Sequence, residues 1–189
     1  MKFNIIESNP TSLTFELGGV SHTFVNSLRR IILNDVKAAA IDSVTFYENS
    51  GSMFDEYVAH RIGLIPITTP KKYDEKDEIL FSLESEGPKT VYSKELKSTD
   101  KEIKVANENI PIIKLAEGQK LKVTGKAVFG LPSKSTKFQA GLATYKAKSD
   151  DTFEFYIESF GQMPPTEILS RALNIISDGI KELQKELKK

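Results

Sequence analysis

The sequence predicts an α+β fold in which the two ends of the chain build one domain and the middle is inserted between them. Three observations carry this. An alternating strand followed by an amphipathic helix stands near the start, up to Val36. A strand followed by a long amphipathic helix stands at the end, from Thr152 onward. Between them the chain turns polar and charged, with only short strand-like runs. Each end therefore brings a strand and a helix with one apolar face, and a sheet covered by the two helices buries all of those faces together.

The elements follow in order. Phe3 to Glu7 reads as a short strand stopped near Asn9-Pro10. Ser12 to Leu17 alternates, with Leu13, Phe15 and Leu17 on one face, and Gly18-Gly19 ends it. A helix begins at His22. At about 100° per residue, Phe24, Val25, Leu28, Ile31, Ile32 and Val36 share its apolar face. Asn26, Arg29 and Arg30 point elsewhere, with Leu33 among them. Ile41 to Tyr47 carries strand formers, and Asn49 to Ser52 is a turn. Phe54 to Ile62 reads as a helix that stops at Gly63, with Pro66 just beyond.

Thr69 to Asp77 and Pro88 to Glu108 are polar and show little periodicity. Short strands are expected at Glu78–Leu83 and Gln119–Phe129, and loops at Gly130–Lys137 and Lys146–Asp151. Thr152 to Glu158 is a strand with Phe153, Phe155 and Ile157 on one side. Pro164-Pro165 then opens a helix, since proline suits a first turn. Leu169, Leu173, Ile176, Ile180, Leu183 and Leu187 follow at spacings of 4, 3, 4, 3 and 4, a heptad seam. The helix would run for about 24 residues, or roughly 36 Å. It either covers its own sheet along its whole length or continues past the sheet to meet a partner helix. Its length favours the partner.

Composition excludes several classes. The 189 residues suffice for one large or two small domains. With 26 basic and 26 acidic residues the net charge is zero, unlike a free-standing nucleic-acid binder. No apolar run is long enough to span a bilayer, and the start shows no secretory leader, so a cytoplasmic protein is expected. There is no cysteine, which removes disulfides, thiolate metal sites, iron–sulfur clusters and cysteine nucleophiles. Only two histidines occur, His22 and His60. Glu56 and His60 stand four apart, but no third metal ligand matches their spacing. Phosphate loops, paired catalytic carboxylates and Ser/His/Asp arrangements are missing too. Lys134, Lys137, Lys146 and Lys148 gather around a loop, and acidic residues follow at once, as on a solvated face.

Asn26-Ser-Leu-Arg-Arg-Ile-Ile-Leu33, then Ala40-Ile-Asp42, then Asp55-Glu-Tyr-Val-Ala-His-Arg-Ile-Gly-Leu-Ile-Pro-Ile67 stand in this order along the chain. In them the sequence resembles the alpha-type assembly subunits of cellular RNA polymerases, in the archaeal D-type form. The resemblance covers essentially the whole chain. It implies a discontinuous dimerisation domain, here residues 1–40 and 152–189, and an inserted, mainly β domain at 41–151. It implies a non-catalytic part in DNA-dependent RNA polymerase, a nucleotidyltransferase complex, with no active-site residue in this chain. The implied partners are a smaller alpha-like polymerase subunit of the archaeal L type, the large catalytic subunits and small zinc-binding subunits. DNA would be met only through the complex.

For the implied contacts, Arg29 and Arg30 are expected to meet a large subunit, with Leu33 packing beside them. Of the two, Arg30, which lies with Asn26 and Leu33, is expected to be the interface residue, and Arg29 to lie nearer the core edge. His60 and Arg61 would face other subunits from the inserted domain, and Leu173, Ile176, Ile180 and Leu183 would form the seam with the small partner. Two departures from the family stand out. Ser135 and Phe138 replace a histidine and a tryptophan. Some relatives also carry a ferredoxin-like domain with cysteine-ligated clusters. Without cysteine and with a short middle, this chain resembles the form lacking it, so no cofactor is expected. A homodimeric or coiled-coil scaffold is the alternative that the heptad seam alone would support.

Overall fold

A computed structural model describes residues 1–72 and 78–188. In chain order they form β1 (Lys2–Ser8), β2 (Ser12–Gly18), α1 (His22–Asn34), β3 (Ala38–Asn49) and α2 (Asp55–Gly63). There follow β4 (Ile79–Glu86), β5 (Lys89–Tyr92), β6 (Lys97–Ser98), β7 (Pro111–Leu115) and β8 (Lys120–Gly130). The chain ends with β9 (Gly141–Ala147), β10 (Thr152–Ser159) and α3 (Pro165–Glu186). The fold is mixed α+β with antiparallel sheets. The chain separates into two compact units, Met1–Lys37 with Leu131–Lys189, and Ala38–Gly130. Part of the polar stretch read at Thr69–Asp77, and Lys189, the last residue of the expected dimerisation domain, lie outside the described residues.

The first unit holds a four-stranded sheet in the order β1-β2-β10-β9. Leu13, Phe15 and Leu17 of β2 stand directly across from Ile157, Phe155 and Phe153 of β10, so the apolar residues of both strands share one face. All six are buried, and Phe15 and Phe155 stack with ring centroids 5.2 Å apart. Gly19, at φ +70°, turns the chain out of β2, a conformation that favours glycine. Ser21 caps α1, its hydroxyl accepting a hydrogen bond from the Phe24 amide at 3.2 Å. Val25, Leu28 and Ile32 then lie buried on the core side. The hydroxyl of Tyr145 on β9 sits 3.1 Å from Nε2 of His22, tying the start of α1 to that strand. Ile168, Leu169 and Ala172 bury the first turns of α3.

The second junction therefore differs from the position near Asp151 read from the sequence. Residues 131–151 belong to the first unit, because β9 pairs with β10 from Gly141↔Ser159 to Ala147↔Phe153. The run Leu142-Ala-Thr-Tyr-Lys-Ala147 alternates only weakly in hydropathy, so it carries no strand signal. The expected loop at Lys146–Asp151 shrinks to the β9–β10 turn.

In the second unit the order is β3-β8-β4-β6, with a separate β5-β7 pair. Its core gathers Ile41, Val58, Ile62, Ile65, Ile67, Phe81, Leu83, Leu121 and Val123. The lysines of β8 alternate outward and meet glutamates of β4 across the ladder, Lys122 with Glu84 at 3.0 Å and Lys120 with Glu86 at 3.7 Å. Gly125 has a packing reason, since a Cβ there would come within 2.8 Å of the Ile41 side chain. β3 begins at Ala38, earlier than its strand formers suggest, because Ala38 to Ile41 pair with Gly130 to Ala127 of β8 and are buried. β5, β6 and β7 bring order to a region that shows little periodicity in sequence. Strands of two to five residues are too short to show one.

Candidate partner-docking surfaces

Three surfaces carry the residues expected to dock partners. The first is the outer side of α1. Arg30 is exposed there, while Asn26, Arg29 and Leu33 are half-buried. The Arg29 guanidinium donates to the Asn26 side-chain oxygen at 3.0 Å, an i,i+3 pair within the helix. Asn26 is thus engaged with Arg29, where helical periodicity alone groups it with Arg30. Arg30 is left as the solvent-facing cation of the motif, and a long guanidinium fork suits a partner's carboxylate or carbonyl.

The second surface is α3. Its seam changes character along its length. Leu169 is 8% exposed, Leu173 43%, Ile180 53%, Leu183 64% and Leu187 79%, with Ile176 half-buried. The sheet of the first unit therefore covers only the first turns, and the same apolar stripe runs on uncovered. The helix holds 22 residues, so it spans about 33 Å. Glu167 and Arg171 pair at 3.0 Å near its start, and Arg171 also reaches the Lys37 carbonyl at 3.4 Å. These contacts fix the proximal half and leave the apolar stripe of the distal half uncovered in its unit.

An apolar groove of about 250 Å³ adjoins this stripe, lined by Phe3, Phe15, Phe24, Leu28, Leu169 and Leu173, with Met1 and Leu17. Among the described residues no polar one lines it. It exists because β1 is an edge strand. Phe3 and Ile5 stand across from Leu17 and Phe15 and share their face, yet both remain about half exposed. Helical periodicity places Phe24 in the core and says nothing of Phe3. The usable signal is the alternation of Phe3 and Ile5 at the sheet edge, which supplies more apolar surface than two helices cover.

The third surface is α2 in the second unit. His60 and Arg61 are both exposed, and Phe54 and Tyr57 expose an aromatic pair with centroids 6.4 Å apart. Arg61 is not wholly free, since its Nη2 donates to the Pro111 carbonyl at 2.6 Å. Glu56 and His60 lie exposed on the same helix. Among the described residues no group of three or more histidine or acidic side chains converges as metal ligands would. Of the loop lysines, Lys148 bridges Glu154 at 2.8 Å and Glu16 at 3.1 Å, and these partners hold its pKa above the ordinary lysine value. Among the described residues no helix is long and apolar enough to cross a membrane.

A model of the RNA polymerase Rpb3/Rpb11 dimerisation domain matches residues 14–180. The chain is 45% identical over 165 residues to DNA-directed RNA polymerase subunit Rpo3 of Methanocaldococcus jannaschii, covering 87% of this chain and 85% of that protein. It is 44% identical over 153 residues to the Rpo3 subunits of Thermococcus kodakarensis and of Pyrococcus furiosus. In both cases 77% of this chain aligns with 59% of the relative.

Proposed function

The chain belongs to the RNA polymerase Rpb3/Rpb11 dimerisation-domain family, and on that premise we propose that it is an assembly subunit of a DNA-dependent RNA polymerase. It pairs with a smaller alpha-like polymerase subunit, of the archaeal L type, through α3 and the adjoining groove. The pair then presents Arg30 and the α2 surface to the large catalytic subunits and to small zinc-binding subunits. It contributes no catalytic group and holds no cofactor of its own. Its contact with DNA runs through the complex, and its compartment is the cytoplasm. The dimerisation domain is the first unit, drawn from both ends of the chain.

The observation that carries this reading is the uncovered distal stripe of α3. Burying an exposed leucine or isoleucine is worth about 1.5–3 kcal/mol. Leu173, Ile180 and Leu183 are about half exposed, so covering them together returns roughly 2–5 kcal/mol towards an association cost of roughly 4–15 kcal/mol. The variant Leu183→Asp tests it. Leu183 is already 64% exposed in the chain alone, so the substitution should change the fold by no more than about 0.5 kcal/mol. Heterodimer formation should weaken by on the order of 2–5 kcal/mol. Melting of the free chain beside a pull-down with the small partner reads both, and equal loss of the two speaks against a partner seam.

A further inference from the structure

We propose that Gly179 is a notch in α3 that receives a bulky apolar side chain from the partner's helix. The inference rests on the docking reading above and assigns a particular residue to it.

Gly179 lies inside the helix, seven residues before its end at Glu186, where glycine lowers helix stability relative to alanine. Nothing among the described residues asks for it. Its φ lies outside the left-handed region, so any residue fits its backbone. Among the described residues a Cβ built on it meets nothing within 4 Å, so none of them requires the space. The space left open at this exposed position of the helix can admit an atom from outside.

The surroundings suit such an atom. Ile176, Gly179, Ile180 and Leu183 stand at i, i+3, i+4 and i+7, the four corners of a hole on a helix surface. Ile180 and Leu183 are exposed, so the hole opens outward. With a glycine at one corner, the hole is deeper and wider than four full side chains allow. The occupant is a leucine, isoleucine or phenylalanine on the helix of a second chain that carries the same dimerisation domain. The family match runs through residue 180, so Ile176, Gly179 and Ile180 lie within the region that the dimerisation model spans, and Leu183 stands just past its end.

The test measures the affinity of the full chain for the smaller alpha-like partner by titration, and melting of the free chain, for Gly179→Ala, Gly179→Leu and Leu183→Asp. Gly179→Ala should raise the melting temperature of the free chain yet weaken the heterodimer at least about tenfold, and Gly179→Leu should weaken it further. If Gly179→Ala binds as tightly as the natural chain while Leu183→Asp does not bind, the notch is empty in the complex and the inference falls, with the docking reading intact. If Leu183→Asp also binds normally, the docking reading fails and the notch with it.

Discussion

At the scale of single residues, the two adjacent arginines divide their work by geometry. Neighbours on a helix diverge by about 100°, so they cannot serve one acceptor. Arg29 is half-buried and spends its guanidinium on Asn26, which makes it a brace of the helix surface. Arg30 is exposed and available to a second protein. Truncating a charge that is paired and buried in an interface costs roughly 2–5 kcal/mol of association, because its partner is stranded. Arg30→Ala should therefore leave the fold and the heterodimer with the small partner intact but block joining to the large subunits. Polymerase that does assemble with the variant should extend RNA at a near-normal rate. Reconstitution followed by an elongation assay checks both, and a fully assembled complex that elongates slowly contradicts the division of labour. The outward side of Arg30 was legible from helical periodicity. The Asn26–Arg29 pair was not, since periodicity gives a residue's direction and leaves open which neighbour its side chain selects.

At the scale of elements, legibility followed length and pattern. β2, α1, α2, β10 and α3 were readable because each repeats its apolar residues over two turns or several alternations. β9 was hidden by weak alternation, and β5, β6 and β7 by their shortness. What holds the short strands is tertiary, and Glu95 is the clearest instance. Its carboxylate accepts from Ser85 of β4 at 3.1 Å, from Lys89 of β5 at 2.8 Å and from the Tyr92 amide at 3.1 Å. Partial burial pushes its pKa up, but the hydrogen bonds from Lys89, Tyr92 and Ser85 outweigh that and hold it below the usual carboxylate value. A depressed folded pKa means a contribution that is present above the unfolded value and lost as pH falls through the folded one. Lys89 is 45% exposed, so screening limits the size to on the order of 1 kcal/mol at neutral pH. Glu95→Gln should accordingly melt lower than the natural chain at neutral pH, with the gap closing as the solution is acidified through the carboxylate range. A gap that stays constant with pH would show that the carboxylate charge plays no part.

At the scale of the whole molecule, the first unit has an apolar surface that its own described elements do not cover, along the distal half of α3 and in the groove beside β1. That surface was half visible in the sequence. The heptad seam announced a long apolar stripe, but not where the covering sheet would stop, because that depends on how many strands lie beneath the helix. The groove beside β1 left only the alternation of Phe3 and Ile5 as a signal, because it forms only when β1 takes the edge of the sheet. Together the distal stripe of α3 and that groove make heterodimer formation the central claim. Its most direct test is the mass in solution of the full chain, alone and mixed with the smaller alpha-like partner. The account predicts a stable one-to-one heterodimer in the mixture. A chain that stays monomeric beside the small partner, or that forms a homodimer indifferent to it, would contradict the account, and the homodimer would favour a free-standing scaffold.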